Sequence, residues 1–354
     1  MRFIQSTCIV GFFVLFLSAC GEKQHTDVEG CQLFDLSQFK DIDLAEAGDL
    51  ITDDPDILGI PGRIFAVNDS IIALCHTRGN IQVSLLNLNS GQHQVAIKKG
   101  EGPNEMLGVS SVSADEEGNL WLSGLLDKKI MTAKWDQSGK DASIEFKYRT
   151  QEELLRGITD GRGGIIGLPA TQRSVRILKT DSAGYSIDSL GVFPNSTLPD
   201  SISPNNFMFQ ADIAYSPTAD KLAVANRLLN KIEIYDVSSG DHSILKYPLD
   251  KEIEIKRIDY DMGYSYEPQP LWFTFADAYA GDKNFTVGFK GVEVKSDEDF
   301  ERGIKKVLEF NWDGKPQRSF SFGDEIVTYA IDFNNNILYT IENRPEPTLV
   351  KYQL

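Results

Sequence analysis

Most of this chain consists of short apolar or alternating segments that are separated by turn residues. In residues 109–148, for example, four such segments alternate with turns, two of them at 117–119 and 136–139. Alternation with a period of two is typical of β-strands whose two faces differ in burial. No long segment of the sequence has the periodicity of an amphipathic helix, so the pattern predicts an all-β protein.

The strands recur in a larger unit, which begins with two strands joined by a polar turn. These first turns follow one another about every 50 residues. They lie near Asp69, Gly118, Gly164, Asp220, Asp282 and Asn335. A second turn, before the outermost strand of a unit, recurs near Gly91, Gly139, Gly184, Gly240 and Gly314. Six units of four antiparallel strands match the blades of a six-bladed β-propeller.

The two ends of the chain suggest how such a ring closes. The last unit stops at Leu354 after three strands. The apolar segment 32–36 can supply the missing fourth strand, and this pairing would cover edges that otherwise favour aggregation. We therefore expect a propeller over residues 31–354 that is closed by an N-terminal strand. A β-sandwich is the alternative, but its strands would not repeat in fours.

Residues 1–19 have the parts of a bacterial secretory signal peptide. Arg2 is the only charged residue before an apolar run at 8–17, and the small residues Ser18 and Ala19 follow. A run of about ten residues is too short to cross a bilayer, which takes about 20. The segment therefore predicts export and removal of the signal peptide.

The sequence Leu-Ser-Ala-Cys at 17–20 resembles the lipobox of bacterial lipoproteins. The resemblance implies cleavage before Cys20 and lipid on its sulfur and its new amino terminus. Two or more acyl chains anchor a protein stably. Residues 20–30 are polar and predict a flexible tether, and Gly21 is compatible with the outer membrane. We expect a lipid-anchored protein of the cell envelope, on either face of that membrane; a plain signal peptide is the alternative.

The net charge of −17 narrows the range of partners. Contacts with phosphates require a basic patch, so we expect no nucleic acid partner. A broad electrostatic contact with anionic lipid is equally disfavoured. The membrane is therefore expected as a partner only through the lipid on Cys20.

Residues 99–106, with the sequence KGEGPNEM, predict a tight connection between the first two units. Gly100 and Gly102 permit positive φ, and Pro103 fixes φ and lacks a backbone donor. Together with Glu105 they form the pattern Gly-x-Gly-Pro-x-Glu. The third glycine and the helix of a dinucleotide site are missing, so we favour a structural link over a ligand site.

This link motif and the segment DEEGNLW at 115–121 resemble a known group of propellers. The segment resembles the strand-turn-strand of NHL-like and TolB-like propellers. The motif is similar to the link between the first two blades of six-bladed, TolB-like lipoproteins of Bacteroides-type bacteria. The resemblance covers roughly residues 30–354 and implies the fold. It implies no activity, because the function of that family is largely unassigned.

The sequence contains no catalytic or metal-binding motif that we recognise. The four histidines are His25, His76, His93 and His242, and their spacing forms no zinc motif. Neither a Gly-x-Ser-x-Gly elbow nor a Walker loop occurs. Asp332, Asn334 and Asn336 have the opening spacing of a calcium loop but lack its later Gly and Glu, so they predict a polar turn. We expect no cofactor; a metal site scattered over several blades would not be visible.

Two cysteines remain in the predicted mature domain, Cys31 and Cys75. An exported domain can join two such cysteines in a disulfide. Cys75, however, lies in the apolar segment 71–75, where a small buried thiol is common. The sequence leaves both states open.

Residues 246–280 are longer than a blade requires and predict an insertion. Long loops often carry the binding surface of a propeller, and aromatic rings supply rigid contact area. Tyr260, Tyr264 and Tyr266 are therefore candidates for an exposed binding surface; packing of the insertion onto its own blade is the alternative. The aromatic residues that predict strand core are Trp272, Phe273 and Phe275.

Two segments have the form of a helix capping box. Thr150 precedes Glu153 by three residues, and Ser296 precedes Asp299 by three residues. Such spacing is typical of a helix start. Both segments predict short helices between strands.

Two functions agree with these features. The first is a non-enzymatic binding or scaffold module for an envelope protein, a peptide or a glycan. The second is a metal-dependent enzyme, of the lactonase or lyase type, with its site in the central channel. The second rests on analogy between folds alone. Because no catalytic motif is visible, the sequence favours the binding module.

We predict that Cys20→Ser abolishes lipidation, because the thiol that accepts the lipid is removed. Mass spectrometry of the mature amino terminus should show acyl groups in the wild type and none in the variant. The variant should also leave the membrane fraction, whereas Cys31→Ser should stay there. An unmodified Cys20 in the wild-type protein would contradict the prediction.

Overall fold

The computed structural model describes residues 31–139, 141–170, 175–192, 209–260 and 263–354. The lipoprotein signal and tether predicted at 1–30 lie outside this part of the chain. Within it, strands dominate, and the helices are short. None of the helices in these ranges is long and apolar enough to span a bilayer.

Short elements open the described chain. They are β1 (Gln32–Leu33), a 3-10 turn (Leu36–Gln38), β2 (Lys40–Asp43), β3 (Asp49–Thr52) and α1 (Pro55–Leu58).

Four sheets with strands in sequential order follow, antiparallel except that β8 pairs in parallel with β7. The first sheet contains β4 (Pro61–Ala66), β5 (Ile71–His76), β6 (Ile81–Asn87), β7 (His93–Lys99) and the short β8 (Glu105–Met106). The second contains β9 (Val109–Ala114), β10 (Leu120–Gly124), β11 (Lys129–Lys134) and β12 (Ser143–Arg149). The third contains β13 (Leu154–Thr159), β14 (Ile165–Pro169), β15 (Val175–Thr180) and β16 (Ser186–Val192). The fourth contains β17 (Ala211–Ser216), β18 (Lys221–Asn226), β19 (Lys231–Asp236) and β20 (His242–Lys246).

A separate hairpin, β21 (Glu254–Tyr260) and β22 (Gly263–Gln269), precedes the last part of the chain. That part contains β23 (Trp272–Ala280), β24 (Asn284–Glu293), α2 (Asp297–Glu301), β25 (Ile304–Asn311), β26 (Pro316–Asp332), β27 (Ile337–Asn343) and β28 (Pro347–Gln353).

The long strand β26 belongs to two groups of four strands. Its first half pairs with β25, for example through Ser321 and Lys306, and its second half pairs with β27, for example through Ala330 and Tyr339. The strand order β23-β24-β25-β26-β27-β28-β3 is therefore one continuous sheet by hydrogen bonding. In the sheets before it, a loop connects one group of four to the next.

Buried apolar side chains lie between neighbouring sheets and hold them face to face. Leu85 of β6 and Leu122 of β10 belong to one such cluster. The cluster of Tyr279 joins β23 to both the last strands and the first sheet, since it also contains Leu338 of β27 and Leu74 of β5. The last strands therefore pack against the first sheet, and the fold is an all-β propeller.

The predicted turns are in the expected places. Each of the six first turns joins two antiparallel strands. Gly91, Gly184, Gly240 and Gly314, in the turns before the outermost strands, have φ of +70°, +86°, +78° and +79°. Glycine adopts this left-handed conformation without the steric penalty of a Cβ, which explains its recurrence in these turns.

The predicted closing strand at 32–36 is wrong. Residues Gln32–Leu33 pair in parallel with the edge strand β20. The strand that completes the last group is β3, in which Leu50 pairs with Val350 of β28. The reason is aromatic packing, because Phe34 is buried against Phe275 and Phe310 and holds its segment at the fourth sheet. The chain reaches the last strands only after this segment, through the pairing of β3 with β28.

One of the two predicted helix starts is correct. Ser296 and Asp299 form a capping box at the start of α2. Thr150 begins no helix; its hydroxyl donates to the carbonyl of Glu152 at 2.7 Å in the turn before β13. The residues that follow pair with β14, so sheet formation overrides the local signal.

The two cysteines of the described chain do not form a disulfide. Cys31 is buried and Cys75 is half-buried on β5. Burial raises the pKa of the Cys75 thiol to about 12, so it stays protonated at neutral pH.

We predict that Gly48→Ala destabilises the ring closure. An added Cβ would lie 2.4 Å from Val350 Cγ1 and 2.7 Å from Tyr352 Cε1, two side chains buried in the last group. Overpacking of this kind costs about 1–3 kcal/mol, which lowers the melting temperature by roughly 2–4 °C per kcal/mol. Thermal unfolding measures the effect. Gly108→Ala is the control, since its Cβ meets no atom within 4 Å; equal stability of the two variants would contradict the prediction.

Candidate functional site

The axis of the ring is surrounded by the first strand of each group. Neighbouring first strands contact one another: β9 with β13, β13 with β17, β17 with β23, and β26 with β4. We call the end of the axis near Gly62, His76, Gly108 and Leu125 the link face, because the chain passes between groups there. The opposite end, near the first turns, is the turn face.

A buried carboxylate at the axis holds three arginines. Asp212 on β17 accepts from Arg227 Nε at 2.8 Å, from Arg156 Nε at 3.1 Å and from Arg63. The backbone amide of Asp277 donates to the same carboxylate at 3.1 Å. Because these residues lie on the first, third, fourth and last sheets, the cluster ties distant parts of the chain together.

The position of Asp277 in this cluster depends on an unusual backbone conformation. It lies at an irregularity of β23, between Ala276 and Ala278, and has φ of +48°. Aspartate tolerates the left-handed region better than most residues, but a non-glycine residue there is uncommon. The bulge aims its carboxylate at Arg63 Nε (3.0 Å) and the hydroxyl of Thr328 (2.7 Å). Strain of this kind is often found at functional sites.

The electrostatics of the cluster are unbalanced, with three arginines and two aspartates. Burial would raise the pKa of Asp212, but Arg227, Arg63 and Arg156 hold it well below its usual range. Burial would lower the pKa of Arg63, but Asp212 and Asp277 raise it. Burial lowers the pKa of Arg156 to about 10; Asp212 opposes this shift, whereas Arg63 and Arg227 add to it. Arg156 is thus less well compensated than Arg63.

A pocket of about 610 Å³ opens on the link face, and the three arginines lie at its base. Its charged lining consists of Arg63, Arg156 and Arg227 against Asp277 alone. Most of the remaining lining residues are small, aliphatic or hydroxyl-bearing; the exceptions are Cys75, His76 and Gln210. A volume in this range is typical of a site for a small molecule.

The turn face has a larger pocket of about 1150 Å³ and the opposite charge. Its described lining contains seven carboxylates against four cationic side chains. The carboxylates are Asp69, Asp115, Glu116, Glu117, Asp282, Glu309 and Asp332. Several of them serve local turns; Asp115, for example, accepts from Trp121 Nε1 at 2.8 Å. The cluster at the axis therefore lies between a pocket with a basic lining and one with an acidic lining, and Arg63 and Arg156 line both.

The donors at the axis do not fit a divalent metal ion. The described residues contain no group of three or more His, Cys, Asp or Glu side chains suited to a metal. Asp212 is already surrounded by guanidinium groups, and Asp277 is bonded to Arg63 and Thr328. Nearby positive charge opposes a cation. The turn at Asp332 is the polar turn that its sequence predicts, with its carboxylate accepting from the amides of two asparagines.

The link motif forms a compact turn between β7 and β8, away from both pockets. The amide of Gly102 donates to Glu105 Oε2 at 2.9 Å, and Lys129 Nζ donates to the carbonyls of Gly102 (3.0 Å) and Glu105 (2.6 Å). A Cβ on Gly100 would approach Glu105 Oε2 to 2.0 Å, so a larger residue there would displace the Glu105 carboxylate. Neither Gly100 nor Gly102 has the positive φ that the sequence allowed. Pro103 lies inside the turn. These contacts give the motif a structural role.

The candidate tyrosines lie on the separate hairpin of β21 and β22. Tyr264 pairs with Asp259, Tyr266 pairs with Arg257, and Tyr260 ends β21. The side chains of the three tyrosines lie outside the described part of the structure. The hairpin is inserted between β20 and β23, in a connection that starts and ends at the link face.

The aromatic residues after the hairpin enter β23. Phe275 is fully buried, as predicted. Trp272 and Phe273 are half-buried, at the link-face end of the strand. Phe273 contacts Phe300 of α2 edge-on and lies under the ammonium group of Lys290.

The sequence analysis missed the arginine cluster. Each of its strand residues is a charged side chain within an apolar first strand: Arg63 in PGRIFA, Arg156 in LLRGIT, Asp212 in ADIAYS and Asp277 in WFTFADAYA. A charged residue on an inner strand of a propeller points to a polar axis, and that signal was available. The partners could not be matched, because 149 positions separate Arg63 from Asp212.

Comparison with known proteins agrees with the fold. No protein family and no curated protein matches the sequence. A solved member of the DUF4221 family from Bacteroides vulgatus is 10% identical, with a TM-score of 0.53 over 87% of this chain and 96% of that chain. The calcium-binding protein regucalcin from Agrobacterium tumefaciens is 10% identical, with a TM-score of 0.50 over 89% and 95%. The WD40 repeats of RRP9 are 9% identical, with a TM-score of 0.51 over 88% and 98%.

These similarities establish the propeller fold, and at such low identity they establish nothing more. The regucalcin and DUF4221 structures agree with the sequence resemblance to propellers. The WD40 repeats show that the architecture is shared beyond that group.

We predict that Asp212→Asn lowers stability by about 3–5 kcal/mol at pH 7, because three buried arginines lose their common counter-ion. The pKa of Asp212 is depressed in the fold, so its contribution is complete above the unfolded pKa of about 3.9 and is lost as pH falls below it. Denaturant unfolding at several pH values should show the gap to the wild type closing below about pH 4.

Asp188→Asn is the matched control for this experiment. Asp188 forms an exposed ion pair with Lys179 at 3.5 Å. Exposed pairs of this kind contribute about 0–1 kcal/mol, so the control should resemble the wild type. A gap for Asp212→Asn that does not depend on pH would contradict the prediction.

Proposed function

We propose that this protein is a lipid-anchored, non-enzymatic binding propeller of the bacterial cell envelope, and that its ligand is bound at the link face. The observation that carries the proposal is the pocket on that face, with three arginines at its base. The ligand is an envelope protein, a peptide or a glycan fragment. The pocket gives the propeller a concave site of suitable size, and the hairpin extends from the same side.

The ring in this proposal has six blades of four strands. The four sequential sheets supply four blades. Dividing β26 between its two halves supplies two more, β23-β24-β25-β26 and β26-β27-β28-β3. Six recurring first turns support the same count. The architecture agrees with the resemblance to six-bladed, TolB-like lipoproteins.

The membrane anchor in this proposal is the lipid on Cys20, and the location is the outer membrane, on its periplasmic or surface face. The support is the lipobox and the polar tether at 20–30. The first described residues, Cys31 and Gln32, lie beside the edge strand β20. A tether that starts at an outer edge leaves the axis free for ligand.

The metal-dependent enzyme is not favoured by the geometry. Regucalcin is a calcium-binding protein by its name, but the axis of this propeller is dominated by guanidinium groups. The histidine nearest to the link-face pocket, His76, is bonded to Ser84 at 2.9 Å, and burial lowers its pKa. A binding role requires none of the missing catalytic groups.

We predict that replacing Tyr260, Tyr264 and Tyr266 by Ala reduces capture of an envelope partner at least about tenfold, without lowering the melting temperature. Aromatic anchors dominate many protein interfaces, and an inserted hairpin is separate from the core. The measurement is affinity purification of the full lipoprotein from its own membranes in mild detergent, with quantitative mass spectrometry of what it captures.

Tyr185→Ala is the matched control for the hairpin variant. Tyr185 is an exposed tyrosine in the turn between β15 and β16 of the third sheet, outside the hairpin. Capture should be unchanged in this control. Equal capture by the hairpin variant and the wild type would reject the hairpin as a binding surface.

A further inference from the structure

We propose that the link-face pocket binds the carboxylate of a small aliphatic ligand through Arg63, Arg156 and Arg227. The ligand class covers short peptides with a free aliphatic C-terminus and simple aliphatic acids. This inference rests on the proposed binding function and specifies the chemistry of its ligand. Four observations support it: unused donors, charge, preorganisation and the character of the walls.

Each of the three arginines has an uncommitted terminal nitrogen. Arg63 uses Nε and Nη2, and Arg227 also uses Nε and Nη2, for the two aspartates. Arg156 uses Nε for Asp212, and its Nη1 donates to the carbonyls of Ser110 and Leu155. Among the described residues, Nη1 of Arg63, Nη2 of Arg156 and Nη1 of Arg227 have no hydrogen-bond partner. Guanidinium groups match the planar, bidentate geometry of a carboxylate.

The charge of the cluster selects a monoanion. Three arginines and two aspartates leave one positive charge, which a single carboxylate would neutralise. Burial lowers the pKa of Arg156 to about 10, and the nearby Arg63 and Arg227 add to the shift; an added anion would offset the repulsion among the three cations. A dianion such as phosphate would reverse the local charge.

The arginines are held in position before any ligand binds. Asp212 is 1% exposed, and it fixes the three guanidinium groups, whose side chains are 18%, 21% and 23% exposed. Long side chains that are already immobilised lose little entropy on binding, which favours affinity. All three side chains line the link-face pocket, and Arg63 and Arg156 also line the turn-face pocket.

The walls of the pocket favour an aliphatic ligand body. Val109, Leu125, Leu126 and Leu155 line it, and Leu126 is 66% exposed. Among the described lining residues, His76 has a ring, but no Phe, Tyr or Trp offers a face on which a sugar ring could stack. The volume of about 610 Å³ accommodates a short peptide end or a small acid. The turn-face pocket is acidic, so a carboxylate is expected to enter from the link face.

The test compares an acid with its uncharged amide. Isothermal titration of the full protein with 4-methylpentanoate and 4-methylpentanamide isolates the carboxylate, because the two probes have the same aliphatic body. We expect one site and about ten- to a hundredfold tighter binding of the acid, which corresponds to hydrogen bonds with charged groups. Equal binding, or no binding of either probe, would overturn the inference. Inorganic phosphate binding as tightly as the acid would also overturn it.

A peptide pair distinguishes the two sources of the carboxylate. Ala-Ala-Leu with a free C-terminus should bind more tightly than Ala-Ala-Leu amide. If this peptide also binds more tightly than 4-methylpentanoate, the source is a peptide end; if it binds more weakly, the source is a small acid. If the free peptide and its amide bind equally, the ligand is not a peptide C-terminus. The comparison of 4-methylpentanoate with its amide then still tests whether the pocket binds a carboxylate.

Substitutions inside and outside the arginine cluster test whether the cluster causes the preference for acid over amide. Arg156→Gln should lose most of the preference for acid over amide, because a guanidinium with a free terminal nitrogen is removed. Arg78→Gln is the matched control, since Arg78 is exposed on the loop after β5 and does not line the pocket. An equal loss of this preference in both variants would mean that long-range charge alone attracts the acid. That result would overturn direct contact between the carboxylate and Arg156.

A second variant covers the case in which Arg156→Gln fails to fold. Arg227→Lys keeps the charge but loses the planar fork, and the preference for the acid should fall by about tenfold or more. An unchanged preference in this variant would overturn the assignment. Hairpin-dependent capture tests the proposed function separately: capture without acid binding rejects only this inference.

Discussion

The carboxylate of Asp212 is the interaction on which the arrangement around the axis depends. Its oxygens accept from the side chains of Arg63, Arg156 and Arg227 and from the backbone of Asp277. A buried carboxylate is stable only when its hydrogen bonds are satisfied, and buried arginines are stable only beside a counter-ion. The sheets that carry these groups must therefore meet in one register. The apolar clusters supply the attraction between sheets, while this polar centre is specific to one arrangement.

The same constraint explains the irregular backbone of β23. A regular strand would not bring both the amide and the carboxylate of Asp277 to the axis. The bulge at this position does so, and it lets one residue donate to Asp212 while it accepts from Arg63 and Thr328. Bulges that redirect a side chain are common beside functional sites. Local strain in β23 is thus balanced by the bonds that it makes available.

Features that depend on neighbours in sequence could be predicted, and features that depend on distant residues could not. Gly91 and Gly240 marked their turns correctly because a left-handed turn selects glycine locally. The closing strand was misassigned because 32–36 is more apolar than β3, whose Leu50 is 60% exposed. Burial of Phe34 under the fourth sheet depends on Phe275 and Phe310, far along the chain. The arginine cluster was missed for the same reason, and the link motif was found because Gly100 and Glu105 interact within one turn.

The opposite charges of the two pockets affect the end of the axis at which an anion is attracted. The ion cluster lies between the two pockets, and Arg63 and Arg156 line both of them. The carboxylates of Asp115, Asp282 and Asp332 repel an anion at the turn-face pocket. The arginines of the link-face pocket attract the same anion. An anionic solute is therefore attracted to one face of the ring only, although the net charge of the protein is negative. The charge difference between the two faces thus gives an anionic ligand one preferred side of the ring.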